Sequence, residues 1–157
     1  MKNYKKFLLI IFSVITIVIL SYYFYPINKL PEGVVIDKII VEKSEHRMDV
    51  YSKDILIKSY PVSLGRGEWG WESKDWDNKT PTGDYIIDTK FTNSGFHKAL
   101  TISYGNQIEI HGIRNHLGFI GKFQRWIDWT KGCIALTNEE VDELYTAVPI
   151  GTPISIR

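Results

Sequence analysis

The chain has 157 residues, 44% of them hydrophobic and 24% charged, with a formal net charge of +1; that is enough for one core and too short for two ordinary domains. Three of its 19 lysines and arginines, Lys2, Lys5 and Lys6, sit at the start, leaving 16 against 18 acidic residues in the rest, and no basic cluster is available to grip a phosphate backbone, which makes nucleic acid a poor partner. A single cysteine excludes an intramolecular disulfide.

The three lysines precede nineteen uncharged, mostly apolar residues at 7–25. As a helix this run is about 28 Å long, close to the roughly 30 Å of bilayer hydrocarbon. A cleaved signal peptide would stop sooner and end on small residues, whereas this run continues into Tyr22, Tyr23, Phe24, Tyr25 and Pro26. The expected organisation is a cytoplasmic N-terminus at 1–6, a signal-anchor helix through the bacterial cytoplasmic membrane at 7–25, a tether at 26–33 and one folded domain at 34–157. The lysines favour the cytoplasmic side, which puts that domain outside the membrane.

Within the domain, VVIDKIIVEKS, MDVYSK, ILIKSYPVSLG, DYIIDTK, ALTISYG, QIEIHG and TPISIR each have the length and composition of a strand. The expected fold class is mostly β with short helices. Between Ser63 and Pro81 the periodicity fails in a polar stretch with three tryptophans, Trp69, Trp71 and Trp76, and a surface loop is expected there. TPTG at 80–83 reads as the turn into DYIIDTK. Two helices are predicted, GKFQRWIDW at 121–129 and NEEVDELYTAV at 138–148. In the second, Thr137 or Asn138 caps the start, Glu139 and Glu140 occupy the first turn, and Val141, Leu144, Tyr145 and Val148 form the apolar face.

The chemistry centres on WTKGCIAL at 129–136 and IEIHGI at 108–113. His111 ends an alternating strand and is followed by a glycine, where a rigid scaffold can hand a side chain to a cleft. Cys133 follows Gly132, which lets its backbone approach another segment closely. A thiol needs a base or a cation beside it to react near neutral pH, and a histidine supplies either role. Backbone N–H groups of Gly132 and Cys133 are the nearest source of oxyanion donors. On spacing alone a buried core cysteine and a satisfied histidine stay open as the plainer reading. A metal site from His97, His111, His116 and Cys133 lacks any compact ligand pattern, so neither metal nor cofactor is expected. Paired carboxylates of a glycosidase are offered only by the loop acids Glu68, Glu72, Asp75, Asp77 and Asp84, a composition more usual for solvated loops.

The segments YPVSLG, DNKTPTGDYII, SGFHKAL, ISYGN, IHG, WTKGCIAL and GTPISI, in that order, make the domain resemble the L,D-transpeptidase catalytic domain family, often called YkuD-like. The resemblance implies a β-sandwich with Cys133 as nucleophile, His111 as proton donor and acceptor, the Gly112 carbonyl orienting its ring, and Gly132 and Cys133 as oxyanion donors. Thr130, Lys131, Trp129 and Tyr104 are supporting or substrate-binding candidates from the same segments. It implies peptidoglycan stem peptides as substrate, 3-3 cross-links formed with release of D-alanine, and inhibition by carbapenems. A carboxypeptidase or amide-exchanging hydrolase on the same peptides, and an inactive wall-binding domain, are the alternatives. Two departures stand out: Lys131 replaces the histidine common in Ser/Thr-His-Gly-Cys, and Ala135 replaces an arginine frequent two positions after the cysteine.

Overall fold

The computed structural model describes residues 2–67, 78–92, 95–105 and 108–157. The three tryptophans of the expected loop and its acids Glu68, Glu72, Asp75 and Asp77 lie outside the described residues.

Helix α1 (Lys2–Phe24) leads the chain. It is the one described helix long and apolar enough to cross a membrane, and apolar side chains such as Phe7, Leu9, Phe12 and Ile17 stand exposed along it.

Eight strands follow: β1 (Lys38–Glu42), β2 (Arg47–Ser52), β3 (Ile55–Pro61), β4 (Gly83–Phe91), β5 (Ala99–Ile102), β6 (Glu109–His111), β7 (Ile134–Ala135) and β8 (Pro153–Ile156). They pair in the order β3-β2-β1-β8-β4-β5-β6-β7. Alternation sends Ile39 and Val41 of β1 and Met48 and Val50 of β2 into one core, where they meet Ile87, Leu100, Ile110 and Ile134. Each such side chain fully buried contributes about 1.5–3 kcal/mol. A register shift between Ile87 and Thr89 bends β4 so that it pairs with β8 on one side and β5 on the other. Beyond β3, Ser63 exchanges two backbone hydrogen bonds with Ala135 of β7, at 3.0 and 2.8 Å, which joins the two ends of the sheet. The result is a β-dominated half-barrel or sandwich with short helices behind an apolar N-terminal helix, the fold class expected from the sequence.

Helix α2 (Asn138–Ala147) starts with a capping box, in which Thr137 and Glu140 satisfy each other's backbone N–H groups. Val141, Leu144 and Val148 are fully buried against the sheet, with Tyr145 partly so. Its first residue also serves the sheet: Asn138 Oδ1 accepts the Ile113 N–H at 2.9 Å, just past the end of β6.

The other predicted helix is corrected. Instead of an α-helix over 121–129, a 3₁₀ segment runs from Gly118 to Trp126 and is broken at Gly121, whose φ of 51° and ψ of −129° are not helical. No Cβ-bearing residue adopts that conformation readily, so the glycine divides the segment into two short turns.

Candidate active site

Strands β6 and β7 run parallel, with Ile110 beside Ile134 and His111 beside Ala135. The two isoleucines point into the core, so His111 faces the other way, and Cys133, two residues before Ala135, shares that face by alternation. The bend delivering Cys133 depends on close backbone packing. Gly132 has φ +106°, and a Cβ there would meet Ile108 Cδ1 at 2.8 Å and the Lys79 carbonyl at 3.0 Å. Gly65, on the neighbouring segment, leaves no room either: a Cβ would lie 2.2 Å from the Asn78 carbonyl and 2.9 Å from Gly132 Cα.

Thr130 ties this bend together. Its hydroxyl donates to the Cys133 carbonyl at 2.7 Å, its N–H donates to the Leu64 carbonyl, and its own carbonyl accepts from Arg66 N–H. Thr130→Val keeps the shape but leaves that carbonyl without its donor. The substitution is expected to lower the unfolding free energy by about 1–3 kcal/mol and turnover with it, whereas Thr130→Ser retains both, as denaturation and rate measurements on the two variants would show.

His111 is buried, with Nδ1 2.6 Å from the Gly112 carbonyl. A carbonyl can only accept, so Nδ1 carries the proton and Nε2 keeps the lone pair. The ring stacks on Phe96 at 4.0 Å between centroids and meets Trp129 edge-on at 5.6 Å. Burial pushes His111 down to about 4, with the Gly112 hydrogen bond opposing it. Burial pushes the Cys133 thiol up to about 11, a backbone hydrogen bond from Glu109 lowers it, and the charge of Glu109 raises it further. Both groups are therefore neutral at pH 7. Of the two roles a histidine could play, this favours a base that takes the proton during attack over a cation that stabilises a resting thiolate.

His111 and Cys133 line one cleft of about 640 Å³. Its other walls include Phe96, Trp129, Thr130 and Lys131, the 3₁₀ segment with Ile120, Phe123 and Gln124, and two arginines, Arg66 and Arg114. Tyr104 is not brought there: it sits on the turn after β5, exposed, edge-on to Tyr85 at 5.6 Å. Lys131 is exposed at the cleft wall. His97 lies apart, paired with Asp142 at 2.9 Å, and no group of three potential metal ligands occurs among the described residues.

Reasoning from sequence missed three supports of the site. Gln124 is buried, accepts the Trp129 indole N–H at 3.0 Å through its side chain and the Ser63 hydroxyl at 2.6 Å through its backbone. Phe96 supplies the face on which His111 stacks, and Glu109 acts on the thiol. Phe96 belongs to the segment SGFHKAL, and Glu109 stands two residues before His111 and so on the same face of the strand, while Gln124 left no trace.

Residues 36–156 match the family model of the YkuD L,D-transpeptidase catalytic domain. YkuD of Bacillus licheniformis, a candidate L,D-transpeptidase, is 31% identical over 121 residues, covering 76% of this chain and 64% of that protein. Its namesake in Bacillus subtilis is 34% identical over 104 residues, covering 65% and 54%. The chain thus spans less than two thirds of the length of either relative. Among solved structures, an L,D-transpeptidase of Xylanimonas cellulosilytica superposes with a TM-score of 0.59 at 16% identity, over 83% of this chain and 65% of that one. L,D-transpeptidase 3 of Mycobacterium tuberculosis, in complex with a faropenem-derived adduct, does so with 0.58 at 18%, over 76% and 59%. At such identities the superpositions speak for the fold alone, and it is the match over 36–156 that makes this chain a member of the YkuD family of L,D-transpeptidase catalytic domains.

Proposed function

We propose that the domain is a cysteine acyltransferase that forms 3-3 cross-links between peptidoglycan stem peptides, outside the membrane in which α1 anchors it. The observation that carries the reading is the pairing in one cleft of Cys133 with a buried His111 whose Nδ1–H is spent on Gly112, leaving Nε2 as the free basic atom.

In the first step Cys133 Sγ attacks the carbonyl between the diamino acid and the terminal D-alanine. The thiol proton passes to His111 Nε2, the N–H groups of Gly132 and Cys133 hold the oxyanion, and the C–N bond breaks as His111 returns the proton to the leaving amine. In the second step the side-chain amine of another stem attacks the thioester, gives a proton to His111, and the C–S bond breaks to restore the thiol.

Two features of the cleft support an anionic peptide and an amine acceptor. Arg66, Arg114 and Lys131 line it with no carboxylate among the described lining residues, and the buried Arg66 Nε has no hydrogen-bond partner among the described residues. These cations suit the carboxylates of a stem peptide. Leu117, Ile120, Phe123 and Ile127 form an apolar wall that disfavours water as the competing nucleophile.

Incubating the full-length protein with disaccharide tetrapeptides and analysing the products by mass spectrometry tests the assignment. Dimeric muropeptides with stoichiometric D-alanine are expected. Shortened monomers alone would reassign the protein as an L,D-carboxypeptidase, and unchanged substrate would leave a silent wall-binding domain.

A further inference from the structure

The 3₁₀ segment Gly118–Trp126 is built inside out. Lys122 and Gln124 are 8% and 5% exposed, while Phe119, Trp126 and the following Ile127 are 71%, 63% and 70% exposed. In a protein surrounded by water the order would be reversed, because burying polar groups and exposing large apolar ones both cost free energy. The polar pair has internal partners: Gln124 holds Trp129, and the Lys122 ammonium donates to the Tyr22 and Tyr25 carbonyls at the C-terminal end of α1. There it satisfies carbonyls the helix leaves open and meets the negative end of the helix dipole. The exposed apolar side chains have no such account within the fold.

Their position supplies one. The segment is packed on the last turn of α1: Phe123 stacks on Tyr23 at 5.5 Å between centroids and approaches Tyr22 at 5.9 Å, Trp126 meets Tyr22 at 5.9 Å, and the Tyr23 hydroxyl donates to the Phe119 carbonyl at 2.8 Å. If α1 spans the bilayer, Tyr22 to Tyr25 form its outer aromatic belt, and the headgroup layer at that level is roughly 5–7 Å thick on each side. Ring separations of 5.5–5.9 Å set Phe123 and Trp126 directly beside that belt.

We propose that residues 118–126 form a membrane-contacting surface, in which Phe119 and Trp126 enter the boundary between phospholipid headgroups and acyl chains of the outer leaflet. The proposal rests on the reading of α1 as a membrane anchor. A surface patch of aromatic and aliphatic side chains continuous with a spanning helix is what a lipid interface accepts. Because Ile120, Phe123 and Gln124 line the cleft from the inner side of the same segment, contact with lipid holds one wall of the active site at the bilayer surface. The cleft then opens onto the wall layer nearest the membrane.

The full-length protein is reconstituted in vesicles of phosphatidylcholine and phosphatidylglycerol brominated on the acyl chain near the headgroup, and tryptophan quenching is compared with that of Trp126→Phe. The expected result is a protein that resists alkaline carbonate extraction, is quenched, and loses most of that quenching in Trp126→Phe at an unchanged thermal midpoint. A retained protein whose quenching is the same with and without Trp126 would overturn the membrane contact and leave the anchor standing. Release by carbonate would overturn the anchor, and the contact with it. Phe119→Trp in the Trp126→Phe background provides a second reporter, and its quenching is expected to return.

Discussion

Cys133→Ala is expected to abolish turnover and to remove every covalent adduct formed with a carbapenem. Cys133 is the only thiol in the chain, and the one hydroxyl among the described residues lining the cleft, that of Thr130, is already donating to the Cys133 carbonyl. Two-step acyl transfer has no substitute for the lost sulfur, so the rate should fall by at least about 10³-fold. Cys133→Ser should be nearly as poor, since a hydroxyl is far harder to deprotonate than a thiol and His111 is a weak base in its buried setting. Intact-mass spectrometry of wild type and both variants after carbapenem treatment checks the assignment, with the wild-type adduct mapping to Cys133. An adduct or wild-type turnover in the alanine variant would remove the mechanism. The same thiol should react sluggishly with iodoacetamide at pH 7, because burial pushes it up to about 11, against roughly 8.5 for a free cysteine. Its reactivity is then specific to substrates that fill the cleft and engage His111.

How far the sequence could be read depended on the kind of signal. Long alternating runs were legible: seven predicted strands are present, and the Thr137 to Glu140 capping box starts α2 where its polar residues indicated. Strand β7 was not, because Ile134 and Ala135 are too few to show a period, and their pairing with Ile110, His111 and Ser63 exists only once distant segments meet. The 3₁₀ segment misled for a different reason. Its apolar and polar residues do not sort to inside and outside, with Gln124 buried and Trp126 exposed, so a reading that assigns faces by hydrophobicity finds an ordinary helix. At the site, the family's motifs together with the elementary need of a thiol for a base pointed to Cys133, His111 and Gly112, and the fold brings the first two to one cleft and the Gly112 carbonyl to His111 Nδ1. Tyr104 was carried by the same kind of resemblance and lies on Tyr85 instead. The Ser63 bond to Gln124 and the stacking of Phe96 on His111 reach across more than ten residues of chain, a relation with no local pattern.

His111→Ala is expected to lower turnover by about 10²- to 10⁴-fold, the usual contribution of a general acid and base, while Lys131→Ala stays within about tenfold of wild type. The difference follows from placement. His111 is buried with its tautomer fixed by Gly112, whereas Lys131 is exposed on the wall of the cleft, where solvent and salt screen its charge. In wild type the pH profile of kcat/KM should be flat around neutrality, with an acid limb near 4 and an alkaline limb near 11 that belong to the pair as a whole. The histidine also leaves a mark on stability that does not depend on activity. Its pKa is lowered from 6.5 to about 4 in the folded protein, so as pH falls through that window the unfolded chain binds a proton that the folded chain refuses. Stability is therefore full above about 6.5 and declines towards 4, by about 3 kcal/mol in all. His111→Ala removes that slope whatever its cavity costs in absolute stability. Urea unfolding of wild type and His111→Ala between pH 4 and 7 measures it directly: the two stability curves should converge towards acid. Parallel curves would mean that His111 takes up its proton as readily in the folded state as in the unfolded one, and the neutral buried base on which the proposed mechanism depends would be gone.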